Sequence, residues 1–283
     1  MHRWRFAFSR RWLGYLAFAI VFAIACAFLS AWQHARGDEA AAANALVARN
    51  FNAPAVPLGD ALADLDAFSP SQEWKRVTAR GVYERDKQLL VRNRPTDSGP
   101  GFEVLTPLRL ADGSLFVVDR GWVPTGSHSD APDSVGAAPT GTVTVTVRLK
   151  PSEPALDGRT TVGNQIPSIQ LSAVAARYGG AVYTGAYGLL QSQTPAAAHP
   201  LTPVVSTPPN RDEGLHWSYM IQWVIFALIG FFGLGYAIRT EYRKRYEDEP
   251  DMRAKAEARA RRAARRAPSD AEVEDELLDT NAR

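Results

Sequence analysis

The chain has 283 residues, of which 46 % are hydrophobic, and its formal net charge is +2. This length accommodates one sizeable domain with additional segments, or two small domains. The single cysteine, Cys26, excludes a disulfide framework, and the 16 basic and 18 acidic residues of segment 33–215 do not form the positive surface typical of nucleic-acid-binding proteins.

Two long stretches lack charged side chains and dominate the hydropathy pattern. They are Trp12–Trp32 and Trp217–Ile238. A helix of about 20 apolar residues spans the hydrocarbon core of a membrane. The sequence therefore predicts transmembrane helices over residues 12–32 and 216–238. A buried core helix is the alternative, but such helices are rarely apolar over this length.

A cleaved signal peptide is a further alternative for the first stretch. The letters SRR at residues 9–11 resemble part of a twin-arginine export signal. However, the apolar stretch is longer than a usual signal core, and it ends at Trp32 rather than at a small-residue cleavage site. We therefore expect an uncleaved anchor.

The flanks of the two stretches predict their orientation. Basic residues precede the first stretch (Arg3, Arg5, Arg10, Arg11) and follow the second (Arg239, Arg243, Lys244, Arg245). The positive-inside rule then places both termini in the cytoplasm, and the plasma membrane is the expected location. The predicted segments are a cytoplasmic arm (1–11), the first span (12–32), an extracytoplasmic domain (33–215), the second span (216–238) and a charged cytoplasmic tail (239–283).

The extracytoplasmic segment has the pattern of a β-rich domain. Residues 37–57 resemble a partly helical linker, and helical spacing of apolar residues follows over Leu58–Phe68. Residues 168–178 predict a second short helix with Ser168 as its N-cap. Strands are predicted over Val77–Tyr83, Gln88–Arg94, Phe102–Leu110, Leu115–Arg120, Thr142–Leu149 and Ala181–Gln191.

These elements define the predicted fold class, which is a membrane protein of the α+β type. Two transmembrane helices flank one extracytoplasmic, mainly antiparallel β domain with one or two short helices. Asp112-Gly113 is a hairpin signal between two of the strands. A closed or sandwich-like sheet is the expected arrangement, since closure protects strand edges. The tail after residue 245 is dense in mixed charge and predicts a solvated helix or disorder.

No local motif of an enzyme occurs in the chain. The five histidines lack the i, i+4 spacing of a metal-binding helix, and the glycine-rich and nucleophile motifs are absent. The adjacent Ser127, His128 and Asp130 predict a solvated polar loop, because a catalytic triad draws its members from separate parts of a fold. We therefore predict no enzyme and no catalytic residues. A membrane-anchored hydrolase or ligand-binding sensor is the lesser alternative.

Two arginines stand near the end of the second predicted strand. Strand alternation predicts that Arg92 and Arg94 share one face, where they could bind carboxylates such as propionates. The alternative is an internal ion pair with Glu84, Asp86 or Asp119. The sequence alone leaves both interpretations open.

The segment VVDRGWVP (residues 117–124) ends a strand at Arg120-Gly121. Gly121 predicts a left-handed or crowded backbone position. Trp122 either caps the end of the sheet or stands at an interface. By itself, this segment favours an architectural role.

One histidine, His216, precedes the second apolar stretch. On a helix, Tyr219, Met220 and Trp223 follow it at positions i+3, i+4 and i+7, which makes one soft, aromatic face. Such a face suits a flat apolar macrocycle, and neutral imidazole is a common ligand of haem iron. The alternative is an ordinary interfacial histidine.

Several motifs in order resemble one family. Trp32–Arg36 (WQHAR) fits WQxxR at the outer end of the first span. Val77–Pro124 contains GVY, LVRNR, GFEVLTPL and RGWVP, and Leu215–Trp223 (LHWSYMIQW) fits H-x-x-Y-x-x-x-W. In these respects the chain resembles the SURF1/Shy1 family of cytochrome c oxidase assembly factors. Residues 125–215 match weakly, apart from residues 163–165 and the predicted helix that follows them, and the tail after Arg245 lies outside the resemblance.

The resemblance implies a function in building haem-copper oxidase, by assisting haem a handling or insertion into the main oxidase subunit. His216 stands at the position proposed in the family as axial iron ligand. We expect Tyr219, Trp223, Arg94, Arg120 and Trp122 to complete the cofactor site. The implied partners are the main oxidase subunit and the haem a synthesis machinery, together with membrane lipid and without nucleic acid.

Two questions remain open from the sequence. A bis-histidine site with His34 is one alternative, although the family does not fix that position. The other alternative is a structural scaffold that holds an assembling subunit without haem.

Overall fold

The computed structural model describes residues 2–128, 131–246 and 249–264. Two compact units are present, one of Met1–Gly37 with Gly214–Arg283 and one of Asp38–Glu213. Asp130 of the predicted polar loop and the acidic end of the tail lie outside the described residues. The helices are α1 (Arg10–Asn50), α2 (Leu58–Ala61), α3 (Leu171–Tyr178), α4 (Glu213–Arg245) and α5 (Pro250–Ala264).

Helices α1 and α4 contain the two uncharged stretches. Both are long and apolar enough to cross a membrane, judged by length and composition. Their outer faces expose large apolar side chains, including Phe18, Phe28, Ile229 and Phe232. This exposure is what contact with lipid would require, because lipid tails replace the protein core as the apolar environment.

The first unit is an antiparallel helix pair. Near the start of α1, the Arg11 guanidinium lies 3.3 Å from the Glu241 carboxylate of α4. Further along, the Ser30 hydroxyl donates a hydrogen bond of 3.1 Å to the Met220 carbonyl. Residues further along α1 therefore contact residues that come earlier in α4. The two helices run antiparallel, and the start of α1 and the end of α4 lie at the same end of the pair.

Helix α1 continues beyond the predicted span. The predicted linker over residues 37–57 is helical as far as Asn50. In the second unit, the Asn50 amide nitrogen donates to the Ser71 and Glu73 carbonyls, each over 2.8 Å. The Arg148 guanidinium also lies 3.5 Å from the centre of the Phe51 ring. These contacts hold the end of α1 against the β domain within that unit.

The second unit is the predicted β domain, and each of its six predicted strands overlaps an observed strand. The strand predicted over residues 88–94 is shorter, and the strand predicted over residues 181–191 begins at Ala186 and continues to Thr194, into a predicted loop. The strands are β1 (Val56–Pro57), β2 (Arg76–Tyr83), β3 (Leu89–Val91), β4 (Gly101–Leu110), β5 (Leu115–Pro124), β6 (Thr142–Pro151), β7 (Gln165–Ile166) and β8 (Ala186–Thr194).

The sheet closes on itself, so the closed arrangement is found and not the sandwich-like one. Its strand order is β1-β2-β6-β8-β5-β4-β3-β7, and an additional pairing joins β2 to β4. Five strands therefore form a barrel-like ring. The pairings of β5 with β8, β1 with β2 and β3 with β7 are parallel, and the others are antiparallel. The predicted hairpin is confirmed between β4 and β5, where Gly113 has φ 85°.

Alternation along β5 places its side chains in two different core clusters. In β5, Phe116 and Val118 pack in one cluster with side chains from the other four strands of the ring. Leu115 and Val117 point to the opposite face and pack against α3. The predicted Val face of β6 is confirmed, because Val143, Val145 and Val147 are all fully buried.

Two local predictions were wrong. Helix α3 begins at Leu171 with Gln170 as N-cap, because the Ser168 hydroxyl instead donates to the Pro154 carbonyl over 3.0 Å. The helix predicted over residues 58–68 ends at Ala61. Its continuation is replaced by contacts with a distant segment, since the Leu65 carbonyl accepts hydrogen bonds from the Thr184 and Gly185 amides.

Candidate functional site

In the helix pair, His216 contacts a residue of the WQHAR segment. Its Nδ1 lies 2.9 Å from Oε1 of Gln33, and both side chains are half-buried. An amide oxygen only accepts hydrogen bonds, so the neutral ring carries its proton on Nδ1. Nε2 then keeps a lone pair, and in the part of the chain that the structure describes no hydrogen bond involves it.

The side chains that follow His216 divide between two faces of α4. Met220 and Trp223 are half-buried like His216, so these three residues lie along the side that packs against α1. Tyr219 is 43 % exposed. The Trp223 ring contacts the Phe226 ring edge-on, with 5.7 Å between centroids. His216, Met220 and Trp223 therefore share one face, as the spacing predicts, and Tyr219 borders it.

His34 lies near this region but contacts another residue. Its ring centroid is 5.1 Å from that of Trp217, at an interplanar angle of 49°. The structure thus brings Gln33 against the His216 ring. Sequence reasoning missed Gln33 as a site residue. The signal was present in the WQxxR motif, where the glutamine is a fixed letter and the following histidine is not.

The other expected site residues belong to the second unit, and Arg94 lies in an ion-pair network there. Its Nη2 is 2.5 Å from Glu153 Oε2, and its Nε is 3.0 Å from Glu103 Oε2. The internal ion-pair interpretation was therefore right in kind. Of the three acids that it named, Asp119 interacts electrostatically with Arg94, although the direct ion pairs are with Glu103 and Glu153. Glu84 pairs with Arg109 and Lys87 instead.

Arg92 is separated from this network. The predicted shared face of Arg92 and Arg94 is wrong, because β3 ends at Val91 and Asn93 has φ 62°, which interrupts strand alternation between them. The Arg92 guanidinium donates to the Thr160 carbonyl over 2.5 Å. Arg92 and Arg159 line an open cleft of about 520 Å³, and Arg94 does not line it.

Arg120 and Trp122 are both buried in the β domain. The Arg120 guanidinium donates to the Gly136 carbonyl over 2.9 Å and lies 5.8 Å from the Tyr83 ring centre. Burial lowers the pKa of Arg120. The Trp122 indole nitrogen donates to the Arg94 carbonyl over 2.7 Å. These contacts favour the architectural interpretation of the segment.

The crowded position predicted for Gly121 is confirmed. Its φ is 134°, and a Cβ there would lie 2.6 Å from the Thr202 carbonyl oxygen. The neighbouring Trp122 amide donates to the same oxygen over 2.7 Å. The segment after β8 is thereby bound to the end of β5.

A cluster of carboxyl groups surrounds Arg94, and sequence reasoning did not find it. Asp119 is only 1 % exposed, and its Oδ1 accepts a hydrogen bond of 3.0 Å from the Gly121 amide. Three carboxyls, those of Glu103, Asp119 and Glu153, face one cation. One positive charge cannot neutralise three negative charges, so ionisation of all three is unfavourable.

The pKa values in this cluster follow from that imbalance. Burial raises the pKa of Glu103 to about 7, although Arg94 acts in the opposite direction. Burial, followed by the Glu103 charge, raises the pKa of Asp119 well above its ordinary value. At neutral pH the folded domain therefore retains protons that an unfolded chain has released.

We expect the β domain to lose stability as pH rises from 5 to 8. A group whose pKa is higher in the folded domain than in the unfolded chain contributes its full stabilisation at pH values below the unfolded-state pKa. For Glu103 this stabilisation is lost as the pH rises through its folded-state pKa of about 7. The free energy of unfolding should fall by ~2 kcal/mol across this range. Chemical denaturation of the full chain in detergent measures it. Glu103→Gln has no proton to release at this position, so its free energy of unfolding should depend less on pH. An equal pH dependence in wild type and Glu103→Gln would contradict the prediction.

Comparison with known proteins tests the family resemblance that the sequence motifs predict. The profile of the SURF1 family matches residues 20–228. Proteins named "uncharacterized SURF1-like protein" in Mycobacterium bovis and in two strains of Mycobacterium tuberculosis are each 32 % identical to this chain over 254 residues. The alignments cover 88 % of this chain and 91 % of each relative. The resemblance of the motifs is confirmed, and the chain belongs to the SURF1 family.

Proposed function

We propose that this protein is an assembly factor for haem-copper cytochrome c oxidase. It binds haem a through His216 in the membrane, assists its transfer to the main oxidase subunit and catalyses no covalent reaction. The observation that supports this most directly is the orientation of His216, whose Nδ1 is held by Gln33. Family membership supports the oxidase as the target.

The residues around His216 fit a haem. Haem iron needs as few as one protein ligand in the neutral imidazole form, and Nε2 of His216 has the required lone pair. Met220 and Trp223 provide a soft, apolar surface on the same face, and Tyr219 borders it. When bound, the haem would supply the iron that accepts the imidazole lone pair. The chain itself orients the imidazole and provides apolar contact.

The antiparallel helix pair supports the proposed topology. The Arg11–Glu241 contact joins the start of α1 to the end of α4, which is expected when both termini lie on the cytoplasmic side. The basic flanks point in the same direction. In this topology the plasma membrane contains both spans, and the domain of residues 33–215 is extracytoplasmic.

Arg94, Arg120 and Trp122 have a different role in this proposal. Their side chains contact groups of their own domain, so they maintain the surface that the domain presents to partners. The proposed partners are the main oxidase subunit and the haem a synthesis machinery. A scaffold that binds the subunit without haem is the second candidate function, and the buried state of Arg120 and Trp122 is compatible with it.

Complementation tests the assembly function. A bacterium that makes the oxidase, but lacks this gene, should regain oxidase activity and membrane haem a when the wild-type gene is restored. His216→Ala should leave both near the level of the deletion strain. His199→Ala is the matched control, because His199 is exposed in the β domain and should restore both. Full restoration by His216→Ala would contradict the haem proposal, and normal activity in the deletion strain would contradict the assembly function.

A further inference from the structure

The hydrogen bond between Gln33 and His216 joins two motifs that are 183 positions apart in the chain. Gln33 is on α1 and His216 is on α4, and both belong to the same compact unit. The donor–acceptor distance of 2.9 Å is that of a well-formed hydrogen bond. A glutamine side chain thus selects one of the two ring nitrogens.

We infer that Gln33 is a positioning residue that fixes the neutral tautomer of His216. Its amide oxygen holds the proton on Nδ1 and reserves Nε2 as the lone-pair donor. The hydrogen bond made by one ring nitrogen generally determines which nitrogen binds a metal, and its loss weakens metal binding. The tautomer assignment stands on the geometry, whereas its consequence for haem rests on the proposed function.

A neutral amide suits this location better than a carboxylate would. Gln33 directly follows the first span, where an ionised group beside apolar surface is costly, whereas metal-binding histidines in soluble proteins often use carboxylates in this position. Gln33 provides the acceptor oxygen without adding a charge. The apolar character of the helix pair is thereby retained.

The competing explanation is that Gln33 only ties the two helices together. A second hydrogen bond between the helices allows the two explanations to be distinguished. One turn away from Gln33, the Ser30 hydroxyl donates to the Met220 carbonyl. Ser30→Ala removes a bond between the helices without touching the imidazole. If the glutamine acts only as a tie, Ser30→Ala and Gln33→Leu should have similar effects.

Nitrogen NMR of the full chain in lipid bilayers tests the assignment without haem. With isotope-labelled histidine at pH 8, protonated and lone-pair ring nitrogens give separate signals, and His216→Ala identifies the signals of His216. Wild-type protein and Ser30→Ala should carry the proton on Nδ1. Gln33→Leu should shift protons towards Nε2.

Haem a titration adds a second readout. Gln33→Leu should bind haem a about 10- to 100-fold more weakly than wild type, whereas Ser30→Ala should bind normally. A wild-type proton on Nε2, or an unchanged tautomer in Gln33→Leu, would overturn the assignment. Wild-type protein with the proton on Nδ1 that takes up no haem would support the tautomer and contradict the proposed function, so the two failures are distinguishable.

Discussion

Gly81→Ala should destabilise the β domain by about 3 kcal/mol, the upper range for an overpacked position. Gly81 pairs with Val143 of β6 on one side and with Leu110 of β4 on the other, at the point where the ring closes. A Cβ there would lie 2.2 Å from the Arg109 carbonyl oxygen and 2.9 Å from its carbon. No rotamer relieves a clash between Cβ and backbone, so β2 and β4 must separate.

Thermal unfolding of the full chain in detergent measures this effect. For a domain of this size, about 3 kcal/mol corresponds to roughly 6–12 °C in Tm. Gly59→Ala is the matched control, because a Cβ at Gly59 meets no atom within 4 Å. It should leave Tm unchanged or slightly raised, since alanine favours helix more than glycine. Equal stability of the two variants would contradict the proposed closure of the ring at Gly81.

Local patterns were enough to predict most elements of the fold. The alternation of Val143, Val145 and Val147 with threonines predicted β6, because a strand with one buried face repeats every second residue. The two uncharged stretches predicted α1 and α4, because a core helix is rarely apolar over so many consecutive residues.

Local patterns failed where distant segments supply the hydrogen bonds. The helical spacing over Leu58–Phe68 was genuine, but the Leu65 carbonyl bonds to Thr184 and Gly185 and ends the helix. Ser168 was lost as an N-cap in the same way, through its bond to Pro154. Closure by pairing of β2 with β4 is also non-local, so the sequence left a sandwich open as an alternative.

The candidate site shows the same division. The helical positions of His216 and Trp223 followed from spacing, since residues i and i+7 lie on one face of a helix. Neither the Gln33 contact nor the carboxyl cluster around Arg94 could be predicted by spacing, because each joins separate segments. The acids that Arg94 contacts, Glu103 and Glu153, come from neighbouring parts of the folded domain.

Removal of the proposed iron ligand should have the largest effect on haem. Protein co-produced with haem a should show a Soret band on purification, and His216→Ala should lose or shift that band, because no other residue is proposed to donate to the iron. The variant His34→Ala tests the bis-histidine alternative. The His34 ring contacts Trp217, and we expect the spectrum of this variant to match that of the wild type. A shifted band in this variant would add His34 as a second ligand.

The absorption spectrum of His216→Ala, measured beside wild type and His199→Ala, tests the central claim most directly. The account predicts a haem band in wild type and His199→Ala that is absent or shifted in His216→Ala. An identical band in all three proteins would show that His216 does not bind the iron.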